Sequence, residues 1–420
     1  MRKIQAAALA ATLLLAACGT TPPTGEPPAG CKPCAECTPC PPPAATKPPP
    51  GAVLPPSPPA PPAPPPGAPL ARTLKAGKWA DLPGWAEDDH AAAWPAFIAS
   101  CRGIASKPHG AGWKRVCDQA RAADGTPGHD PRRFFETHLK PYAIFGDGNP
   151  NGLITGYYEP LLRGSRVRVK GFEQPVRGVP DDLLTIDLSA VFPELKDKRM
   201  RGRLEGNKVV PYWTRGEIAA RGDKIPSRTL LYVDDAVELF FLQVQGSGRV
   251  LLTDGATVRL NYADQNGYPY QSIGRVLVDR GELKLEEASM QGIQAWARAN
   301  PGRLTELLNS NPSYVFFREV PNSKDGPIGA LGVPLTAERS IAIDPRSVPL
   351  GVPVFLATTR PNTNKSLNRL VMAQDTGSAI KGAVRADYFW GFGKEAGEQA
   401  GRMKQSGRMW LLLPPEAVPK

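Results

Sequence analysis

The stretch AQDTGSAIKGAVRADYFWGFG, residues 373–393, places two carboxylates, Asp375 and Asp387, twelve positions apart. Glycines, Lys381 and Arg385 lie between them, and Tyr388-Phe389-Trp390 follows the second. All four histidines (His90, His109, His129, His138) fall in the first third of the chain, and none shows the HExxH spacing of a zinc site. A Ser–His–Asp triad here would need a histidine brought in from far away by the fold, and Ser247 in QGSGR lacks the nucleophile-elbow spacing. GFGKEAG misses the dinucleotide-binding spacing. No metal and no cofactor is therefore expected. Carboxylates beside aromatic rings suit glycoside chemistry, in which one acid is kept protonated by desolvation and rings stack on sugar faces. Asp387 fits the acid better than Asp375, which follows an apolar strand and precedes a glycine, where carboxylates often only bond turn amides.

Working outward, short β-rich runs broken by Gly, Asp and Pro recur on both sides of this stretch. They are LITGYYEP (153–160), RVRVKGF (166–172), LLTIDLS (183–189), TLLYVDD (229–235), VELFFLQVQGSGRVLLTDG (237–255) and TVRLNYA (257–263), then SYVFFRE (313–319), RSIAIDP (339–345), VPVFLAT (352–358), RLVMAQD (369–375) and MWLLLP (409–414). Such spacing predicts an antiparallel barrel or sandwich. Helical periods predict a small helical subdomain over 85–140, with Asp130 capping a helix that starts at Pro131, and two helices over 289–310.

The N-terminal MRKIQAAALAATLLLAAC has a basic start and an apolar run too short to span a bilayer, as a secretory signal does. Leu15-Ala16-Ala17-Cys18 resembles a bacterial lipobox, which implies lipid on Cys18, and Gly19 in place of aspartate implies the outer membrane. Nearly half of residues 21–70 are proline, so this segment should favour extended polyproline geometry. At about 3.1 Å per residue it would reach on the order of 150 Å. With Cys18 lipidated, six of the seven cysteines remain, an even number suited to an oxidising compartment. Cys101 and Cys117 are expected to pair. Cys31, Cys34, Cys37 and Cys40 are read as disulfides or spare thiols, because ferredoxin-type runs leave a longer last gap. The net charge of +11 comes with basic runs, SRVRVKG (165–171) and KDKRMRGR (196–203), that have little aromatic interleaving; this favours an anionic envelope polymer over nucleic acid.

GYYEP (156–160), FLQVQGSGRV (241–250), NGYPYQSIGRVL (266–277), SMQGIQAWA (289–297), NPSYVFF (311–317), IAIDPRSVPLG (341–351), AQDTGSAIKG (373–382) and ADYFWGFGKEAGEQAG (386–401) resemble, in order, the membrane-bound lytic murein transglycosylase A family. The region from Asp344 to Asp387 is similar to the 3D module, named for its three aspartates. The resemblance implies a mainly β fold with accessory helices: a double-psi β-barrel catalytic domain from residues 71–161 and 289–420, with the 3D module at about 340–413, and a second β-barrel inserted over 162–288. Residues 1–18 would be the signal and 19–70 the tether. It implies cleavage of the β-1,4 bond between N-acetylmuramic acid and N-acetylglucosamine with closure of a 1,6-anhydro ring. Asp387 would be the single acid and base, with Asp375 and Asp344 as supports. Tyr157, Tyr158, Gln245, Gly246, Ser247, Lys381, Tyr388 and Trp390 are expected to meet the glycan, with Lys381 also placed to hold the charge of Asp375. Glu159 is not relied on as a second acid. Expected partners are peptidoglycan strands, outer-membrane lipid through Cys18 and, further off, cell-wall synthesis or division proteins; the location is the periplasmic face of the outer membrane. The competing readings are a glycan-binding lipoprotein without activity and an aspartic protease using its one Asp-Thr-Gly triplet.

Overall fold

The computed structural model describes residues 73–195, 200–377 and 379–419. The signal, Cys18, the proline-rich tether, its four cysteines and part of the 196–203 basic run lie outside the described residues.

The chain opens with β1 (Leu74–Ala76), α1 (His90–Ile104), α2 (Lys114–Ala123), α3 (Pro131–His138), β2 (Lys140–Ile144) and β3 (Gly152–Glu159). A middle section follows: β4 (Leu161–Ser165), β5 (Gln174–Arg177), β6 (Leu184–Ile186), β7 (Met200–Glu205), β8 (Lys208–Pro211), α4 (Arg215–Arg221), β9 (Thr229–Val233), α5 (Ala236–Gln245), β10 (Ser247–Leu252) and β11 (Thr257–Gln265). It ends with α6 (Ile273–Asp279), α7 (Met290–Ala299), α8 (Leu304–Asn309) and β12 (Val315–Val320). Then come β13 (Ser340–Ile343), β14 (Pro353–Thr359), β15 (Ser366–Thr376), β16 (Arg385–Phe392), α9 (Gly393–Arg402) and β17 (Lys404–Leu413).

The expected mainly β architecture with accessory helices is what forms. Strands run β17-β14-β15-β13-β16-β3, and β3 pairs back onto β17, so six strands close into a barrel. Two of its ladders are parallel, β13 with β15 and β16 with β3, and the other four are antiparallel. A second six-stranded sheet, β12-β11-β10-β4-β9-β5, brings its two edge strands near each other without a ladder. β6, β7 and β8 form a small meander.

Four expectations are corrected. The N-terminal helices are not a separate subdomain: Phe97, Cys101, Ile104, Val116 and Phe135 join Val354, Phe355, Val371 and Trp410 in one buried cluster. Short amphipathic helices cannot bury their apolar faces alone, and the barrel wall offers the surface. Residues 289–320 do not side with that barrel; β12 ladders onto β11, and Ile293, Trp296, Leu307 and Leu308 pack with Val237 and Phe240. Finally, the apolar run from Val237 is helical, not extended. Asp235 caps it by accepting from the amides of Val237 and Glu238 at 2.7 and 3.0 Å, and Gly246 at φ 80° ends it. Leu239 and Leu242 face the second sheet while Val237 and Phe240 face the helices, so a helix buried on two sides hides its own periodicity. RVRVKGF likewise lies outside the strands apart from one bridge, Val169 to Phe172.

Cys101 and Cys117 are joined by a disulfide between α1 and α2. A buried ion pair ties the segment ahead of α1 to the barrel. Asp88, whose side chain is 0% exposed, accepts from Arg339 Nη1 at 2.9 and 3.0 Å and from the amide of Leu370 at 2.7 Å. Removing one member strands the other charge in the core. Asp88→Ala should lower stability by on the order of 3–5 kcal/mol, measured by chemical denaturation; a loss under about 1 kcal/mol would show that this pair does not hold the segment down.

Candidate active site

Side chains alternate along a strand, so β16 sends Asp387 and Phe389 to one face and Tyr388 and Trp390 to the other. The parallel ladder with β3 sets Asp387 opposite Thr155 and Phe389 opposite Tyr157. Tyr157 packs on Phe389 with ring centroids 5.1 Å apart. The face that carries Asp387 therefore also carries Thr155 and Tyr157.

Asp387 accepts at Oδ1 from the Thr155 hydroxyl at 2.6 Å, and Thr155 is in turn held by Arg385 Nη2 at 2.9 Å. Its Oδ2 has no hydrogen-bond partner among the described residues. Burial pushes the Asp387 carboxyl above its ordinary value, against the opposing pull of the Thr155 hydroxyl and the Arg385 charge. Asp375 is engaged at both oxygens, by the Ala330 amide at 2.9 Å and the Tyr157 hydroxyl at 3.1 Å. Burial pushes it up to about 6, while the amides of Ala330 and Thr376 and the Tyr157 hydroxyl pull it down and the Asp387 charge adds to the rise. Burial together with the two aspartates raises the Tyr157 phenol well above its ordinary value, so it stays a proton donor.

Both aspartates open onto a cleft. Asp387 lines a cavity of about 140 Å³ with Gly377, Ile380, Gln265 and Tyr270. Asp375 lines an adjoining one of about 490 Å³ with Gln245, Gly246, Ser247 and Asn261. Gln243, Val244 and Val315 belong to both walls, so residues of the second sheet and of α5 face the aspartates of the barrel.

Several expected contacts with the glycan fall elsewhere. Tyr388, Trp390 and Tyr158 are core side chains, on the strand faces opposite to those of Asp387 and Tyr157, and Tyr157 itself is buried with Phe389 and Ile380 and meets the site through its hydroxyl on Asp375. The Tyr388 hydroxyl donates to the Glu338 carbonyl, the Trp390 indole N–H to Met403 Sδ, and the Tyr158 hydroxyl to Met290 Sδ. Lys381 is exposed and forms no ion pair with Asp375, whose partners are a main-chain amide and a phenol. Asp344 is buried and clamps a turn, accepting from Arg346 at 2.7 and 3.0 Å and from the Gly382 amide at 2.9 Å. Burial pushes its carboxyl up, but Arg346 and the two main-chain amides more than reverse this and leave it below its ordinary value. Glu159 is buried rather than exposed, with Arg249 at 2.9 Å and Arg259 at 3.9 Å, and does not line the cavities of the two aspartates. Thr155, Arg385, Gln243 and Ala330 went unread. For the first two a signal exists, since each lies two residues before a residue singled out, on the same strand face.

Among proteins of known family, a family model for the MltA specific insert domain matches residues 153–318, and one for the 3D domain matches residues 339–413. The membrane-bound lytic murein transglycosylase A of Escherichia coli (strain K12) is 34% identical over 293 residues, covering 68% of this chain and 72% of that protein. The chain belongs to the membrane-bound lytic murein transglycosylase A family. Among solved members of that family, MltA from Neisseria gonorrhoeae superposes with a TM-score of 0.72 at 44% identity, covering 81% of this chain and 92% of the other. E. coli MltA with bound chitohexaose superposes with a TM-score of 0.59 at 29% identity, covering 78% and 90%.

The Thr155 hydroxyl favours the charged form of Asp387, so its loss should raise that carboxyl further. Thr155→Val is expected to move the alkaline limb of the pH–rate profile upward. An unmoved or downward-shifted limb would show that the titrating acid is another group.

Proposed function

We propose that this chain is a lytic transglycosylase of peptidoglycan, cleaving the β-1,4 bond between N-acetylmuramic acid and N-acetylglucosamine to leave a 1,6-anhydro end. Family membership supports murein cleavage, and a relative with bound chitohexaose supports a cleft that takes a sugar chain. The observation that carries the mechanism is the asymmetry of Asp387: one oxygen fixed by Thr155, the other free at a cavity, and a carboxyl that burial keeps inclined to hold its proton. Protonated Asp387 gives its proton to the glycosidic oxygen as that bond breaks. The resulting carboxylate then takes the proton of the muramyl C6 hydroxyl, whose oxygen closes on C1. The proton returns to where it started, and no water is consumed.

Asp375 is the support. With its value near 6 it is mostly ionised at neutral pH and offers negative charge to the cationic sugar in the transition state. Gln245, Gly246 and Ser247 line the sugar cleft in this reading. Asp344 acts at a distance, by holding the Gly382 turn just ahead of β16. The barrel of β3 and β13–β17 is the catalytic body, and β4–β12 form its insert. The single Asp-Thr-Gly triplet and the family retire the protease reading.

No described helix is long and apolar enough to cross a membrane, and the relatives are named membrane-bound. Anchoring by lipid on Cys18, on the periplasmic face of the outer membrane, fits both. Glycan strands are the partner the cleft supports.

Digestion of purified sacculi, read by mass spectrometry, should give anhydromuropeptides. Asp387→Asn should lower the rate by at least about 10²–10⁴-fold with the circular dichroism unchanged. Reducing-end products would make the enzyme a hydrolase, and no products at all would favour a glycan-binding protein. An active Asp387→Asn beside a dead Asp375→Asn would exchange the two roles.

A further inference from the structure

A cavity of about 410 Å³ in the middle section shares Arg215 and Gln243 with the wall of the Asp387 cavity. Arg177 and Arg215 both line it, and they are 3% and 7% exposed. Neither forms an ion pair among the described residues. Arg177 donates from Nη2 to the Gly222 carbonyl at 2.9 Å and from Nη1 to the Ser227 hydroxyl at 3.4 Å. Arg215 donates to the carbonyls of Asn311 at 3.2 Å and Ser313 at 2.6 Å, and its Nη1 has no partner among the described residues. Other buried guanidiniums of the chain do have acids nearby: Arg339 pairs with Asp88, and Arg259 lies by Glu159. Glu173 and Asp223 line the same cavity but are exposed and pair with neither arginine. Arg168, also exposed, adds a third cation to the lining.

The partners of these two buried guanidiniums are all neutral, namely carbonyls, hydroxyls and, for Arg215, the ring faces of Phe240 at 4.7 Å and Tyr314 at 5.2 Å, so an anion would still add the missing counter-charge. Burial pulls the Arg215 guanidinium down to about 10, the mark of that missing partner. A second independent feature narrows the ligand. Gln243 is 5% exposed; its Oε1 is buried with no hydrogen-bond partner, its Nε2 faces the Val315 carbonyl at 3.4 Å, and the Tyr314 phenol lies against the side chains of both Gln243 and Arg177. An amide oxygen left open asks for an N–H. Ile218, Leu239, Phe240 and Leu308 supply apolar wall around these polar atoms.

We propose that this cavity binds the terminal carboxylate of an N-acylated amino acid: the guanidiniums of Arg177 and Arg215 take the carboxylate, and Gln243 Oε1 takes the amide N–H of the same residue. Planar guanidiniums match a carboxylate, as they match a phosphate, in two-point geometry; the open amide oxygen of Gln243 selects the anion that carries an N–H beside it. The identity of the source rests on the murein reading. In murein such chain ends are those of the peptide stems borne by the muramyl residues, and the wall shared with the Asp387 cavity lets a strand in the cleft present one there.

Isothermal titration calorimetry on the chain, with N-acetyl-alanyl-alanine and its C-terminal amide as probes, tests this. The acid should bind saturably at or below on the order of 10 mM and the amide should not. Arg177→Gln and Arg215→Gln should each weaken the acid at least about tenfold, a loss of about 1.4 kcal/mol. Equal binding of acid and amide, no binding of either, or acetate binding as well as the dipeptide would overturn the assignment. If a variant fails to fold, the comparison of acid with amide on the unaltered chain still decides. Sacculus cleavage without dipeptide binding defeats this inference alone; dipeptide binding without anhydro products defeats the enzyme reading alone.

Discussion

The parallel ladder between β3 and β16 is the constraint on which the site depends. It joins residues 232 positions apart at the Thr155–Asp387 contact, with the whole second sheet lying between them in the chain. Closing so long a loop is entropically unfavourable, and the ladder is held because both strands also pair with other members of a closed barrel. The backbones must approach closely. A Cβ on Gly152 would lie 1.7 Å from the Val384 carbonyl oxygen, and one on Gly156 would lie 2.6 Å from the Trp390 indole nitrogen. Any side chain at these positions would force the strands apart, and the hydrogen bond between Thr155 and Asp387 would be lost with them.

From that register follows the different treatment of two similar acids. Both are taken out of water, which by itself would raise both. Asp375, at the end of β15, meets the Ala330 amide and a phenol from β3, so its charge is solvated by fixed donors. Asp387 meets one hydroxyl and keeps an oxygen free. An acid that must release and recover a proton needs an open oxygen, whereas one that only supplies charge is better held at both. One residue type is thus given two environments by its neighbours, which is how environment separates acid and base roles elsewhere.

Buried charge is used in two ways in this chain. Asp88 with Arg339 is completed within the protein, and Glu159 with Arg249 is paired at one oxygen while Oε1 has no hydrogen bond; both fasten one segment to another. Arg177 and Arg215 are buried among carbonyls, hydroxyls and aromatic faces, with no acid paired to either. The first arrangement resolves its electrostatics on folding, and the second leaves them to be resolved by something that binds. Arg215 and Gln243 stand in both cavity walls, so the two cavities adjoin through them, with Asp387 on one side.

The sequence alone determined the class of chemistry. With every histidine far upstream and two aspartates near a run of rings, the sequence pointed to carboxylate chemistry, and the ordered motifs from GYYEP to ADYFWGFG carried the family and its mainly β fold. Asp130 ahead of Pro131 marked a helix start because capping is local. Three matters were decided only by tertiary structure. Which aromatic residues face the cleft depends on strand alternation, so adjacency to Asp387 in the chain sent Tyr388 and Trp390 to the core. Whether an apolar run is helix or strand depended on how many of its sides are buried, and α5 is buried on two. Which sheet β12 joins, and that Thr155 holds Asp387 while Ala330 and Tyr157, not Lys381, hold Asp375, rest on contacts between distant segments. Local patterns report the company a residue keeps along the chain, whereas a proton's affinity is set by what lies across the ladder.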